Sequence, residues 1–267
     1  MKKALLVVSS GTDDTAALEK DIGVLERALA RAFPERTFRR AFTSAYVRRA
    51  LRRKRGVVVD GVVEALTALR MEGYQDVLVQ PTYLENGEEM EALRGEAQLY
   101  QKQFPRFAVG RPLLTTIDDY LNLADAIIAS LPALDDSEAL VLVGLGTDRR
   151  MNPTYACLDY VFRDKGYQNL FVGALEGYPG IPEILNRLAG AWNVRRVYLM
   201  PLMMAAEPGA CNDLAGKDAD SWANQLRRHY FEVVPLLQGL GENRQIPALF
   251  VRHAREALQA QPGWQDL

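Results

Sequence analysis

The feature that most constrains the fold is a continuous apolar run that ends in glycines. Residues 139–143 read Ala-Leu-Val-Leu-Val and run directly into Gly144, Leu145 and Gly146. A strand that is buried on both faces of a parallel sheet has such an uninterrupted apolar sequence, and its carboxyl end opens into ligand-facing loops. The run therefore predicts a parallel sheet with Leu145 at a ligand-facing position. Leucine offers neither a metal ligand nor a group that transfers protons.

The same kind of unit occurs twice along the chain, in the same order. The strand and loop that begin at Leu5 and contain Gly11 resemble those that contain Gly146, and Val-Leu-Val-Gln-Pro81 resembles Val-Tyr-Leu-Met-Pro201. Strands alternate with amphipathic helices throughout. The pattern therefore predicts an α/β fold of two similar Rossmann-like domains, each a mostly parallel four-stranded sheet flanked by helices.

The polar stretch 132–137 predicts the boundary between these domains. We expect an amino-terminal domain over residues 1–130 and a carboxyl-terminal domain over residues 131–244. The last segment, residues 245–267, is predicted to be a helix that packs back on the first domain. Ligands of open α/β sheets bind beyond the carboxyl ends of the strands, so we expect a ligand cleft between the two domains.

Composition and charge favour an ordinary cytoplasmic protein. With 25% charged and 48% hydrophobic residues and a net charge of −2, the sequence gives no reason to expect nucleic acid or a membrane surface as a partner. The basic run 48–55 is predicted to be the solvated end of a helix. The first apolar run is too short for a signal peptide, and the two cysteines form no Cys-x-x-Cys motif. The sequence leaves open whether the protein forms a homo-oligomer.

Chemically active residues are few on the expected cleft loops. Glu89, in an acidic cluster, is a candidate base or cation ligand, although glutamate is also favoured in the first turn of a helix. Cys211 is a candidate soft ligand or nucleophile, against the alternative of a small buried residue. His229 and His253 are the only histidines, which excludes a histidine-rich metal site. Neither glycine loop completes a nucleotide-binding motif, so no nucleotide is expected.

A specific set of motifs extends over nearly the whole chain. These are Lys3 to Ser9 with Gly11-Thr12, Arg40-Ala-Phe-Thr-Ser44, Gly73-Tyr-Gln-Asp76, Asn86-Gly87 with Glu89, Pro112-Leu-Leu114, Asp119-Tyr120, Tyr155-Ala-Cys-Leu-Asp159, Val172-Gly-Ala174 with Glu176 and Tyr178-Pro179, Leu199-Met-Pro-Leu-Met203, Asn212-Asp213, Asp220-Ser-Trp222 and Gly239-Leu-Gly-Glu-Asn243. By these motifs the chain resembles the anaerobic sirohydrochlorin cobaltochelatases, a family of class II tetrapyrrole chelatases.

The resemblance implies a function and a set of ligand contacts. It implies insertion of Co²⁺ into sirohydrochlorin in anaerobic cobalamin biosynthesis, with Ni²⁺ or Fe²⁺ as other substrate metals and sirohydrochlorin or a related tetrapyrrole as the partner. It also implies that the tetrapyrrole lies in the cleft between the domains. The residues expected to line that cleft are Ser9, Gly11, Thr12, Tyr83, Gly144, Leu145, Gly146, Glu176 and Gly209.

The chain departs from the family at the metal-binding positions that the resemblance implies. Leu145 replaces the histidine of a Gly-His-Gly motif, and Gly209 stands at or beside the second-domain histidine. Tyr83 replaces a further histidine, and a histidine-bearing stretch reads Thr147-Asp-Arg-Arg150. Glu89 is retained, as metal ligand or base, with Tyr83 or Cys211 as substitutes for the lost ligands.

Two hypotheses follow from these departures. In the first, the protein inserts a divalent metal into a tetrapyrrole with Glu89 as the acting group. In the second, it binds a tetrapyrrole without metallating it, as a carrier, store or sensor, or as an inactivated chelatase. Leucine and glycine suit a flat apolar macrocycle but do not bind a metal.

Overall fold

The computed structural model describes residues 1–131, 133–146, 153–191 and 193–260. The chain divides into two compact units, the first formed by Met1–Thr115 with Arg244–Leu267 and the second by Thr116–Asn243. The division falls before the helix Ile117–Ser130, whereas the polar stretch 132–137 predicted it after that helix. In the second unit this helix packs against the helix Pro153–Asp164. The sequence pattern does not reveal that contact, because hydrophobic periodicity shows which face of a helix is buried but not which helix packs against it.

The first unit contains a parallel four-stranded sheet in the order β2-β1-β3-β4. Leu5 pairs with Phe38 on one side and with Leu78 on the other, which places β1 inside the sheet. Residues 4–8 are at most 1% exposed, as expected for a strand covered on both faces. The elements are β1 (Lys3–Ser9), α1 (Thr15–Ala17), a π-helical turn (Leu18–Ile22), α2 (Gly23–Ala32), β2 (Thr37–Phe42), α3 (Ala45–Arg55), α4 (Val62–Met71), β3 (Asp76–Pro81), α5 (Glu88–Tyr100), a 3₁₀ turn (Gln101–Gln103) and β4 (Arg106–Val109).

The second unit repeats this arrangement with the order β6-β5-β7-β8, and its strands are also all parallel. The prediction of two similar α/β halves, each with a four-stranded parallel sheet, is thereby confirmed. The elements are α6 (Ile117–Ser130), β5 (Glu138–Gly146), α7 (Pro153–Asp164), β6 (Leu170–Glu176), α8 (Ile181–Gly190), β7 (Arg196–Pro201), α9 (Pro208–Ala215), α10 (Trp222–Arg228), β8 (Glu232–Pro235) and a 3₁₀ turn (Leu240–Glu242).

The last helix, α11 (Ile246–Gln259), belongs to the first unit and packs against α2, β3 and β4. Its buried residues include Phe250 and His253, neither of which is exposed to solvent. The predicted segment 245–267 extends past Ala260, and residues 261–267 lie outside the described part of the chain. No helix within the described ranges is both long and apolar enough to cross a bilayer.

In each sheet, the direction in which successive strands are added reverses once. After β1 the chain forms β2 on one side and then β3 on the other, and β5, β6 and β7 repeat this path. The carboxyl ends of strands that flank such a switch point are the usual ligand-binding position in open α/β sheets. In the first unit these ends lead into residues 9–12 and 82–89, and in the second into residues 144–146.

Candidate functional site

Glu89 lies at the carboxyl edge of the first sheet, in the first turn of α5. Its Oε2 accepts a hydrogen bond from the Ser10 hydroxyl at 2.6 Å, and its Oε1 accepts one from the Thr43 hydroxyl at 3.1 Å. Ser10 follows β1 and Thr43 follows β2. An ionised carboxylate has about four acceptor positions, so two hydroxyl donors leave it able to accept a proton or a cation. Glu89 is exposed, which leaves this capacity accessible.

The other candidates after β1 shape the loop. Gly11 has φ +85°, and a Cβ there would lie 2.5 Å from the Phe42 ring, so both conformation and space require glycine. Thr12 is buried, and its hydroxyl accepts a hydrogen bond from the Asp14 amide at 3.1 Å. Ser9 is also buried, and no residue in the described ranges bonds its hydroxyl. Of these candidates, Ser9 retains an unused polar group at the strand end.

Tyr83 follows β3 and is only 5% exposed. No residue in the described part of the chain meets hydrogen-bond geometry with its phenolic oxygen, although the Thr43 hydroxyl is close enough to act on its pKa. Burial raises the pKa of Tyr83, Thr43 opposes this change, and the charges of Glu89 and Glu96 raise it further. A phenol with a raised pKa stays protonated at neutral pH. Burial therefore makes the phenolate, the form that binds a metal, harder to produce at Tyr83 than at an exposed tyrosine.

The carboxyl end of β5 is built around Tyr155. A Cβ on Gly144 would overlap the Tyr155 ring, and the Tyr155 hydroxyl accepts a hydrogen bond from the Gly146 amide at 3.1 Å. Gly146 has φ +76° and pairs with Glu176 of β6. Between these glycines, Leu145 is 58% exposed. The strand end therefore presents an apolar side chain on a backbone fixed from both sides.

The remaining candidates of the second unit lie on β6 and α9. Glu176 is exposed at the end of β6. Gly209 and Cys211 were expected on a loop, but both belong to α9, because Pro208 occupies the first helical position, where proline is favoured. A side chain on Gly209 would meet open space. Cys211 is partly buried, and its amide bonds the Glu207 carbonyl within the helix.

Neither histidine lies at a strand end within the described ranges. His229 follows the last turn of α10, and His253 is fully buried on α11. Within the described ranges, no group of three or more His, Cys, Asp or Glu side chains is placed to hold a metal ion. The stretch Thr147 to Arg150 lies outside those ranges.

Ser10 and Thr43 were not among the site residues predicted from the sequence, although both lie on segments that follow predicted strands. Ser44, next to Thr43, caps α3 by accepting a hydrogen bond from the Val47 amide at 3.2 Å. The available signal was the presence of hydroxyl residues directly after two strands, at the edge where a ligand is expected.

Comparison with known proteins agrees with the fold and with the motifs. The family model described as cobalt chelatase (CbiK) matches residues 3–259. The chain is 40% identical over 258 residues to the sirohydrochlorin cobaltochelatase of Salmonella typhimurium, covering 97% of both chains. It is 29% identical to the sirohydrochlorin cobaltochelatase CbiKC of Nitratidesulfovibrio vulgaris, covering 97% of this chain and 92% of that protein.

Solved structures show the same fold at low identity. SirB from Bacillus subtilis with Fe³⁺ matches with a TM-score of 0.63 and 13% identity, covering 97% of this chain and 96% of its own. CbiX, described as the terminal enzyme of siroheme biosynthesis in denitrifying bacteria, matches with a TM-score of 0.53 and 17% identity, covering 96% and 100%. With the family match over nearly the whole chain, the resemblance is confirmed: this chain is a chelatase-like protein of the cobalt chelatase family.

Proposed function

We propose that this protein inserts a divalent metal, Co²⁺, into sirohydrochlorin or a closely related tetrapyrrole. The observation that carries the proposal is the exposed Glu89 carboxylate, which the Ser10 and Thr43 hydroxyls hold at the carboxyl edge of the first sheet. The names of the two relatives support this choice of metal and macrocycle.

The reaction sets two requirements that Glu89 can address. Insertion forms bonds from the metal to the pyrrole nitrogens and releases the protons of the pyrrole N–H groups, so a base must accept them. A carboxylate oxygen serves as that base, or it binds the incoming cation before transfer. The Ser10 and Thr43 hydrogen bonds fix the carboxylate in position without neutralising its charge.

The macrocycle would rest against apolar and small residues at the strand ends. Leu145 offers exposed apolar surface in the second unit, and Gly209 leaves open space beside its helix. A flat apolar ring packs against such surfaces better than it would against a polar, hydrated surface. The cleft between the two domains stays a prediction from the sequence.

We place the reaction in the cytoplasm, where both cysteines would remain reduced.

A second candidate function is tetrapyrrole binding without metal insertion. It is favoured by Leu145, an exposed side chain that cannot ligate a metal, at a strand end where the family resemblance implies histidine. It is also favoured because no multidentate cluster of His, Cys, Asp or Glu is found within the described ranges. A lone carboxylate holds Co²⁺ weakly.

Anaerobic incubation separates the two functions. Metal-free sirohydrochlorin is mixed with Co²⁺ and the protein, and the absorbance of the metal-free macrocycle is followed against a protein-free control. Loss of that absorbance faster than in buffer supports the chelatase. Tight binding of the macrocycle together with a rate equal to that in buffer excludes catalysis and supports the carrier.

A further inference from the structure

The first unit contains a cavity of about 390 Å³ between α3 and the segment that leads to α4. Residues 45, 48, 49 and 52 line one wall, and this spacing places them on one face of α3. Three of the four are arginines. The lining residues are Ala45, Arg48, Arg49, Arg52, Val58, Val59, Asp60 and Glu64.

Two of these arginines have no acidic partner within the described part of the chain. Arg48 lies 3.5 Å from Glu64, and Gly61 makes room for this pair, since a Cβ there would lie 2.9 Å from the Arg48 guanidinium. Arg49 and Arg52 are exposed, and no described residue bonds their guanidinium groups. The basic run was predicted to be the solvated end of a helix. The structure confirms this, since residues 52–55 form the exposed last turn of α3, and it also places part of the run along a cavity.

One end of the cavity, at Ala45, is close to the Glu89 site. Ser44 caps α3 and follows Thr43, whose hydroxyl donates to Glu89 at 3.1 Å. Ala45 is two residues from Thr43, so their Cα atoms are at most about 7 Å apart. On the other wall, the Asp60 carbonyl accepts a hydrogen bond of 2.9 Å from the Phe42 amide. Both walls are therefore attached to the carboxyl end of β2.

We propose that this cavity is a subsite that binds carboxylate side chains of the tetrapyrrole, with Arg49 and Arg52 as the recognising groups. A guanidinium pairs with a carboxylate through parallel hydrogen bonds, and Ala45, Val58 and Val59 would pack against the methylene groups that carry it. The inference rests on the proposed function, because it takes as ligand a macrocycle that bears acetate and propionate groups. It assigns substrate specificity to a basic face on α3.

The test compares two stable metal-free probes by fluorescence titration. Uroporphyrin carries an acetate and a propionate on every pyrrole, whereas protoporphyrin IX keeps a single pair of propionates. We expect Arg49→Gln and Arg52→Gln each to weaken uroporphyrin binding about tenfold, the size of one charge-assisted contact, and to weaken protoporphyrin binding less. Arg53→Gln is the matched control, since Arg53 lies on the same helix but does not line the cavity.

The same variants are then assayed for Co²⁺ insertion into sirohydrochlorin. A binding subsite raises KM and leaves kcat near the wild-type value, which a merely structural role would not do. If the double variant binds uroporphyrin as tightly as wild type does, the subsite is refuted. If wild type binds uroporphyrin through these arginines but inserts no metal, the subsite stands and the chelatase proposal falls. If wild type binds no tetrapyrrole, both proposals fall.

Discussion

The Ser10 hydroxyl donates a hydrogen bond of 2.6 Å to Oε2 of Glu89, which joins the end of β1 to the first turn of α5. A second bond from Thr43 joins the end of β2 to the same carboxylate. Glu89 is thus both an exposed charge and a link between three segments. The predictions that concern it must separate these two roles.

Replacing Glu89 by glutamine tests the charge while preserving size and an acceptor oxygen. We expect Glu89→Gln to slow Co²⁺ insertion by about a hundredfold or more, the usual contribution of a general base, with little change in thermal stability. Absorbance of the metal-free macrocycle gives the rate. Glu88→Gln is the matched control, since Glu88 is exposed in the same turn and both changes remove the same helix-dipole interaction. A wild-type rate in Glu89→Gln would remove Glu89 from the mechanism.

The buried hydroxyl of Tyr83 is predicted to lower the free energy of unfolding. Because no described residue bonds its oxygen, Tyr83→Phe should leave the free energy of unfolding unchanged or raise it by about 1 kcal/mol. The same substitution at Tyr100 should lower it by about 1 kcal/mol, because the Tyr100 hydroxyl shares a hydrogen bond of 2.7 Å with Thr67. Urea denaturation of both variants checks the opposite signs. A clear loss in Tyr83→Phe would show a hydrogen bond that the structure does not contain.

The raised pKa of Tyr83 also predicts a dependence of stability on pH. Burial is the main cause, so the folded protein keeps the phenol protonated where the unfolded chain ionises it. The contribution is fully present below the unfolded pKa of about 10 and is lost as the pH rises towards the folded value, by up to about 1.4 kcal/mol per pH unit. Between about pH 9 and 11, wild type should therefore lose more stability than Tyr83→Phe.

Urea denaturation over this pH range measures the difference. Tyr46→Phe, which removes a hydroxyl from a ring that is 67% exposed, is the control for the substitution itself. Equal slopes for wild type and Tyr83→Phe would contradict the assignment of a buried, protonated phenol.

Two glycines of the second unit should respond oppositely to alanine. Gly144→Ala forces a methyl group into the Tyr155 ring, and we expect a loss of about 1–3 kcal/mol of stability. Gly209→Ala, in a helix and facing open space, should be neutral or stabilise by up to about 1 kcal/mol. Thermal unfolding measures both. An unaffected Gly144→Ala protein would mean that the end of β5 repacks easily.

Introducing histidines tests whether a shortage of metal ligands limits metal insertion. Leu145 is exposed and a Cβ on Gly209 would meet no atom within 4 Å, which is why these two positions are chosen for an imidazole. We expect Leu145→His with Gly209→His to tighten Co²⁺ binding by about tenfold or more, because imidazole is a better ligand for cobalt than a lone carboxylate. Calorimetric titration with Co²⁺ measures this, with Leu145→Gln and Gly209→Gln as the control. No gain would show that other features of the β5 end and of α9 prevent ligation.

The fold was predicted more completely than the site. Strands such as residues 139–143 are continuous apolar runs because a parallel sheet buries both of their faces. Glycines at the ends of these runs indicate where the turns begin. The domain boundary stays a prediction at residues 132–137, whereas the division into compact units falls before α6. Gly209 and Cys211 were placed on a loop because a helix that begins with proline and glycine resembles a turn in sequence.

The sequence by itself determined two parallel α/β halves and their strand ends, and it made Glu89 a candidate site residue. These are local properties, since apolar runs, glycine turns and motif residues can be identified within short windows. Only the tertiary structure decided that Ser10 and Thr43 hold Glu89 and that Arg49 and Arg52 line a cavity in the first unit. The Ser10 and Thr43 contacts join residues 79 and 46 positions apart from Glu89, and no local pattern encodes which distant segments meet.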